Sequence, residues 1–149
     1  MENMEGFLLQ SEHLLQIETG EDTMERLGAG ITGMDPDVND ELSQDRYYDG
    51  EGFGETDVTG SQLIISFDGH RKYGDPAQDY IFSKLLDPGT GRRTELEWTL
   101  PNGDKFTGPV TIANISGPGG EAGEKGEIGF ELHFNGKPKF VPSANLIGD

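Results

Sequence analysis

The 149-residue sequence predicts a mainly β protein, an antiparallel β-sandwich or partly rolled barrel with one α-helix packed against it. Three observations carry that expectation. Apolar and polar residues alternate at a period of two over 93–100 and 127–134, the pattern of strands with one face buried and the other in water. Turn sequences such as PNGD at 101–104 and Asn135-Gly136 separate these runs. Helical spacing occurs in a single stretch, where Ala77, Ile81 and Leu85 recur at i, i+4 and i+8 with Tyr80 and Phe82 beside them.

Taken in order, residues 7–17 read as a strand of the kind found at a sheet edge, with Leu15 and Ile17 on one face and Leu8 and Leu14 on the other. A turn at 20–22 leads to a second strand over 24–31 in the phase Leu27, Ala29, Ile31. Between 32 and 60 the periodicity is lost and Asp, Glu, Asn and Gly dominate, with bulk only at Tyr47, Tyr48 and Phe53. So long a loop in one domain is either functional or disordered. Two readings stand, a mobile surface loop or an arm that orders on another subunit with the three aromatics as anchors.

Residues 61–67 return to alternation, Leu63, Ile65 and Phe67 against Gln62 and Ser66, with Ile64 out of pattern. The helix is expected over 76–86. Asp75 caps it, Pro76 suits its first turn, and Pro88-Gly89 stop it. A lone helix of this length is marginal in water and must lie against a sheet. The next strand, 93–100, turns Leu96, Trp98 and Leu100 inward and Glu95, Glu97 and Thr99 outward. After PNGD a strand over 105–115 holds Phe106, Val110 and Ile112 in phase and Ile115 out of phase, which predicts a bulge near Ala113 or Asn114. A glycine-rich loop follows over 116–126. Over 127–134, Ile128, Phe130, Leu132 and Phe134 alternate with Glu127, Gly129, Glu131 and His133. Asn135-Gly136 then turns the chain and 137–142 pairs back briefly, leaving Leu146 and Ile147 in a tail that is exposed unless a partner covers it.

Length and composition bound the function. Residues 1–149 form one domain able to bury a real core. An apolar share of 32% and 23 glycines, about twice the usual frequency, imply that part of the chain is exposed loop. No apolar run approaches the roughly eighteen residues of a membrane span, and MENMEGF lacks the basic region and cleavage site of a secretory signal, so a soluble protein made in a cytosol is expected. With no cysteine, disulfides and thiolate metal sites are excluded.

The net charge of −17 opposes binding to duplex DNA through phosphates, which requires Lys and Arg to displace counterions. The charge is also uneven, with sixteen acids and two bases, Arg26 and Arg46, in residues 1–60 against twelve acids and nine bases in the remainder. It serves solubility and mutual repulsion of monomers, or it makes a surface that nucleic acid passes without sticking.

Motifs that bear chemistry are weak. Gly28, Gly30 and Gly33 spell G-x-G-x-x-G, but no helix opens after them and a phosphate site is not expected. Asp35, Asp37 and Asn39 mimic the start of a calcium loop, yet Pro36 interrupts it, Asp40 replaces the glycine and Arg46 stands where a bidentate glutamate is needed. Glycine at every third position from Gly117 to Gly129 is too short a run for a collagen helix. His13, His70 and His133 lack metal-ligand spacing, and no nucleophile elbow or zinc-protease motif occurs. No catalytic, cofactor or metal residues are expected.

The segment HRKYGDPAQDYIFSKLLDPG at 70–89, followed by TELEWTLPNGDKFTGPVTIANISGPGGEAGEKGEIGFELHFNGKP at 94–138, resembles the tail tube (major tail) protein of long-tailed bacteriophages and prophages. The resemblance spans roughly 61–142, and the earlier part of the chain matches only in its general plan. It implies subunits that form rings, commonly hexameric, whose inner sheets join into one β-barrel, and rings that stack into a tube through which the genome moves. It favours the arm reading of 32–60, because such proteins carry a long loop that reaches neighbouring subunits. Tyr47, Tyr48, Phe53, Leu146 and Ile147 then become candidate inter-subunit contacts, and Glu95, Glu97, Glu127 and Glu131 candidates for a lumen lining that repels DNA phosphates. The implied partners are further copies of the chain and the tape-measure, tail-tip and tail-terminator proteins, in a virion tail assembled in the bacterial cytoplasm. A secretion-system tube on a related fold shares the ring and differs in cargo. A second class of function is a carbohydrate-binding or adhesion domain with Trp98, Tyr47 and Tyr48 as a sugar platform, against which Trp98 alternates with core residues.

Overall fold

The computed structural model of the chain describes residues 6–143. Their strands are β1 (Leu14–Gly20), β2 (Thr23–Arg26), β3 (Ile31–Asp37), β4 (Glu41–Arg46), β5 (Gly54–Gly60), β6 (Ile64–His70), β7 (Arg93–Thr99), β8 (Lys105–Gly119), β9 (Glu127–Phe134) and β10 (Lys139–Val141), with one α-helix, α1 (Pro76–Ser83). Eight strands form one antiparallel sheet in the order β2-β1-β7-β8-β9-β6-β3, with β10 also on β8, while β4 and β5 pair only with each other.

A single sheet face supplies the core. Leu15 and Ile17 lie opposite Trp98 and Leu96, and Val110 and Ile112 opposite Phe134 and Leu132. Leu132 and Phe130 in turn face Ile65 and Phe67, and all of these are buried in one cluster. The sheet rolls over this core, because Pro36 of β3 and Trp98 of β7 line one cleft although three strands separate them in the sheet order. It does not close, so β2 and β3 remain as edges. The expected mainly β class with one helix is the observed one, in the form of a rolled open sheet.

The helix closes one side of the core with Ala77, Gln78 and Ile81. As expected, Asp75 caps it, its Oδ2 accepting the Gln78 N–H at 3.0 Å. It ends at Ser83, three residues short of the expected Leu86, as the last turn tightens and the Lys84 and Leu85 N–H groups bond to Ile81 and Phe82. Leu85 is therefore exposed. Beyond the helix, Arg92 donates to the carbonyls of Leu85, Asp87 and Ile112, tying the descending chain to β8.

Other expectations change in detail. Residues 32–60 hold strands β3, β4 and β5 where an aperiodic loop is expected; β3 carries Gly33, Pro36 and two aspartates because it is an edge, and the β4–β5 hairpin is exposed on both faces, so neither shows a buried stripe. The strand expected over 24–31 breaks at Leu27, where Gly30 adopts φ +79° and the Ile31 N–H bonds to the Gly28 carbonyl. The bulge in β8 is present, with Asn114 at φ +53° and the register jumping between Ala113 and Ser116. β8 then continues into the expected glycine loop as far as Gly119, and at Gly117 (φ +94°) a Cβ would strike the Glu127 carbonyl. β10 follows the Asn135-Gly136 turn but pairs with β8 at Lys105–Thr107, so the chain continues along β8 and does not fold back on β9.

Candidate functional site

The sheet brings the four candidate lumen acids onto one face, the one turned away from the core. Glu95 and Glu97 on β7 lie opposite Pro109 and Thr107 of β8, and Glu131 of β9 lies opposite Ala113. The ladder adds acids that alternation in single strands did not connect. Asp35 of β3 faces Ser66, which faces Glu131, and Asp68 and Glu127 follow on the same side of the sheet. Charge is not uniform over this face. Acids gather on its β9–β6–β3 side, whereas the β1–β7–β8 end also holds Arg26, Lys105 and Lys139, and Lys105 pairs with Glu97 at 3.5 Å.

Glu131 is engaged within the sheet as well. Its Oε1 accepts from Asn114 Nδ2 at 2.8 Å and contacts His133 Nε2 at 2.8 Å. These two hydrogen bonds, the one from His133 first, hold its carboxyl below the ordinary range. The left-handed backbone of the β8 bulge aims Asn114 at this carboxylate, which links a backbone irregularity to the polar surface. Glu95 and Glu127 are the exposed members of the four, and neither forms an ion pair among the described residues.

The second feature is the β4–β5 hairpin, which forms a sheet of its own and presents side chains to solvent on both sides. Its two faces differ. Leu42 lies opposite Val58 and Gln44 opposite Thr56 on one face, while Asp57 and the like-charged pair Asp45 and Glu55 occupy the other. At the tip, Tyr47 is half exposed, Tyr48 fully exposed and Phe53 79% exposed. An isolated two-stranded hairpin is marginal in water, so an arm with five exposed apolar side chains is suited to receive cover from another surface. Leu146 and Ile147 lie outside the described residues.

Motifs weighed for chemistry have structural roles. Gly30 and Gly69 allow the β2–β3 connection to cross β6 at backbone contact, where a Cβ on Gly69 would strike the Gly30 carbonyl. The crossing is secured by Gln78, fully buried, which donates to Ala29 and His70 carbonyls and accepts from the Lys72 N–H and Arg71. Sequence reasoning missed Gln78, although a polar residue on the apolar stripe of a helix was a usable signal. Asp37 and Asn39 form a turn at the arm's root, the Asp37 carboxylate accepting the Asn39 N–H at 2.9 Å. Among the described residues no three His, Asp or Glu side chains converge as metal ligands, and no helix is long and apolar enough to cross a membrane.

Trp98 is 6% exposed, stacked on His13 and in tilted contact with Phe106. Its Nε1 donates to His13 Nδ1 at 3.0 Å, and burial lowers the His13 pKa. Burial leaves Trp98 no open ring face to offer as part of a sugar platform with Tyr47 and Tyr48.

No protein-family model and no curated protein matches the sequence. Solved structures do match the fold. A chain in the tail of an empty gene transfer agent particle, refined with helical C6 symmetry, superposes with a TM-score of 0.75 at 18% identity over 91% of this chain and 100% of its own. A chain in the virion of a native gene transfer agent particle gives a TM-score of 0.71 at 17% identity, with the same coverage. The chain therefore shares its fold, over the whole length of those chains, with a chain in the tail of one gene transfer agent particle and a chain in the virion of another.

Proposed function

We propose that this chain is a tail tube subunit, a structural protein without catalytic chemistry that assembles into rings and stacks them into the conduit of a phage-like tail. The observation that carries the reading is the fold shared with a tail chain arranged with C6 symmetry, covering all of that chain. The open edges β2 and β3 support it, since unpaired strands invite edge-to-edge pairing and a closed ring of subunits removes them. Six copies per ring is the expected number. In this reading the face bearing Glu95, Glu97, Glu127 and Glu131 lines the lumen and repels passing DNA phosphates without binding them. The arm, with Tyr47, Tyr48 and Phe53 at its tip, contacts neighbouring subunits, as do Leu146 and Ile147. Tape-measure, tail-tip and tail-terminator proteins are the remaining partners, and assembly takes place in the bacterial cytoplasm before the tube becomes part of the virion.

Negative-stain electron microscopy of the purified full-length chain over a concentration series tests the proposal. Rings or hollow tubes are expected at high concentration. Dispersed monomers throughout, including after addition of preformed tail tips, would refute it.

A further inference from the structure

A cleft of about 690 Å³ opens where the N-terminal segment meets the β2–β3 connection, and it is lined by no residue of the arm and by none of the four outward-facing glutamates. Its apolar floor is Leu15, Leu27, Ile31 and Met34, with Leu15 and Leu27 belonging to the core and Ile31 and Met34 half-buried. At its mouth stands Arg26, exposed and in no ion pair among the described residues. Arg26 is one of two bases in the first sixty residues, which hold sixteen acids. An apolar floor with a basic rim on an acidic molecule selects an occupant that is apolar and negatively charged together.

The chain itself carries such a segment. Residues 38–60 hold seven acids and one base, and the tip places Tyr48 and Phe53 beside Asp49 and Glu51. None of these side chains lines the cleft of its own molecule. We propose that the cleft is the acceptor for the arm tip of a second copy, an aromatic ring seated on Ile31 and Met34 and a tip carboxylate paired with Arg26. This rests on the tube reading and names the surface that the arm engages. Because donor and acceptor are different surfaces, the contact is head-to-tail and propagates from copy to copy, closing as a ring or continuing as a stack.

The absence of cysteine allows a direct test in the full-length chain. Copies carrying Met34→Cys are mixed with mass-tagged copies carrying Tyr48→Cys under mild oxidation, and a second mixture pairs Arg26→Cys with Phe53→Cys. A covalent heterodimer of tagged and untagged copies is expected in at least one mixture. Arg26→Glu is expected to raise the concentration needed for assembly at least about tenfold, with recovery when Glu51→Arg or Asp49→Arg is added. Tubes that form without either cross-link would overturn the cleft as acceptor and leave the tube reading intact. Cross-linking of Met34→Cys only to a cysteine at Phe7 or Leu146 would overturn it in favour of a chain terminus as occupant. Cross-linked heterodimers without rings or tubes would establish the arm–cleft contact while the tube reading fails, and an absence of both would overturn both.

Discussion

Replacing Tyr48 by alanine isolates the contribution of the arm to assembly. The ring is fully exposed in its own chain, so its loss removes nothing from the subunit's core. Transfer of an aromatic side chain of this size from water to an apolar contact is worth about 1.5–3 kcal/mol, and partial burial of the hydroxyl end favours a value of about 2 kcal/mol. In the proposed assembly each subunit contributes one arm, so each added copy would form one such contact. At about 1.4 kcal/mol per tenfold change, the concentration required for assembly should rise roughly 30-fold. Sedimentation of assembled material against total protein measures that concentration, and chemical denaturation of the dispersed subunit should agree with the parent within about 0.5 kcal/mol. A change in assembly below about threefold would refute an interface role for Tyr48. A comparable loss of monomer stability would show instead that the arm packs on its own subunit.

Three further outcomes follow from particular contacts. Gln78→Ala strips a hydrogen-bond partner from the Ala29 and His70 carbonyls and the Lys72 N–H at a fully buried site; at about 1–3 kcal/mol for each unsatisfied group, a net loss of roughly 3–5 kcal/mol is expected in denaturant melts, and a loss under about 1 kcal/mol would mean water replaces the amide. The neutral His13 ring accepts from the single tryptophan, and burial lowers its pKa. Its contribution is complete above the unfolded value of 6.5 and is lost as pH falls through the lower folded value, so Trp98 fluorescence should titrate below pH 6.5 and His13→Gln should abolish that transition. Glu95→Lys combined with Glu127→Lys should leave tubes intact and slow genome passage, measured as DNA release from complemented particles; unchanged delivery would remove these acids from the lumen.

Much of the fold is legible in the sequence because its strands obey a period of two. β9 follows Glu127–Phe134 as the alternation requires, β7 and the PNGD turn match, and the capped start of α1 and the bulge beside Ala113 follow from local chemistry that needs no distant partner. The net charge and the absence of cysteine likewise bound the function without a structure. The strands from 31 to 60 were illegible since an edge strand and a hairpin exposed on both faces bury no stripe, and the apolar–polar signal arises only where one face is buried. Only the tertiary arrangement brought Asp35 and Asp68 onto the face of Glu127 and Glu131, because β3, β6 and β9 are far apart in the chain. It also placed Gly30 of an apparent phosphate motif in a backbone crossing with Gly69, and it set Arg26 at the mouth of an apolar cleft. Residue type and spacing determined which segments could be strand or helix, whereas the non-local pairing of the rolled sheet decided which side chains share a surface.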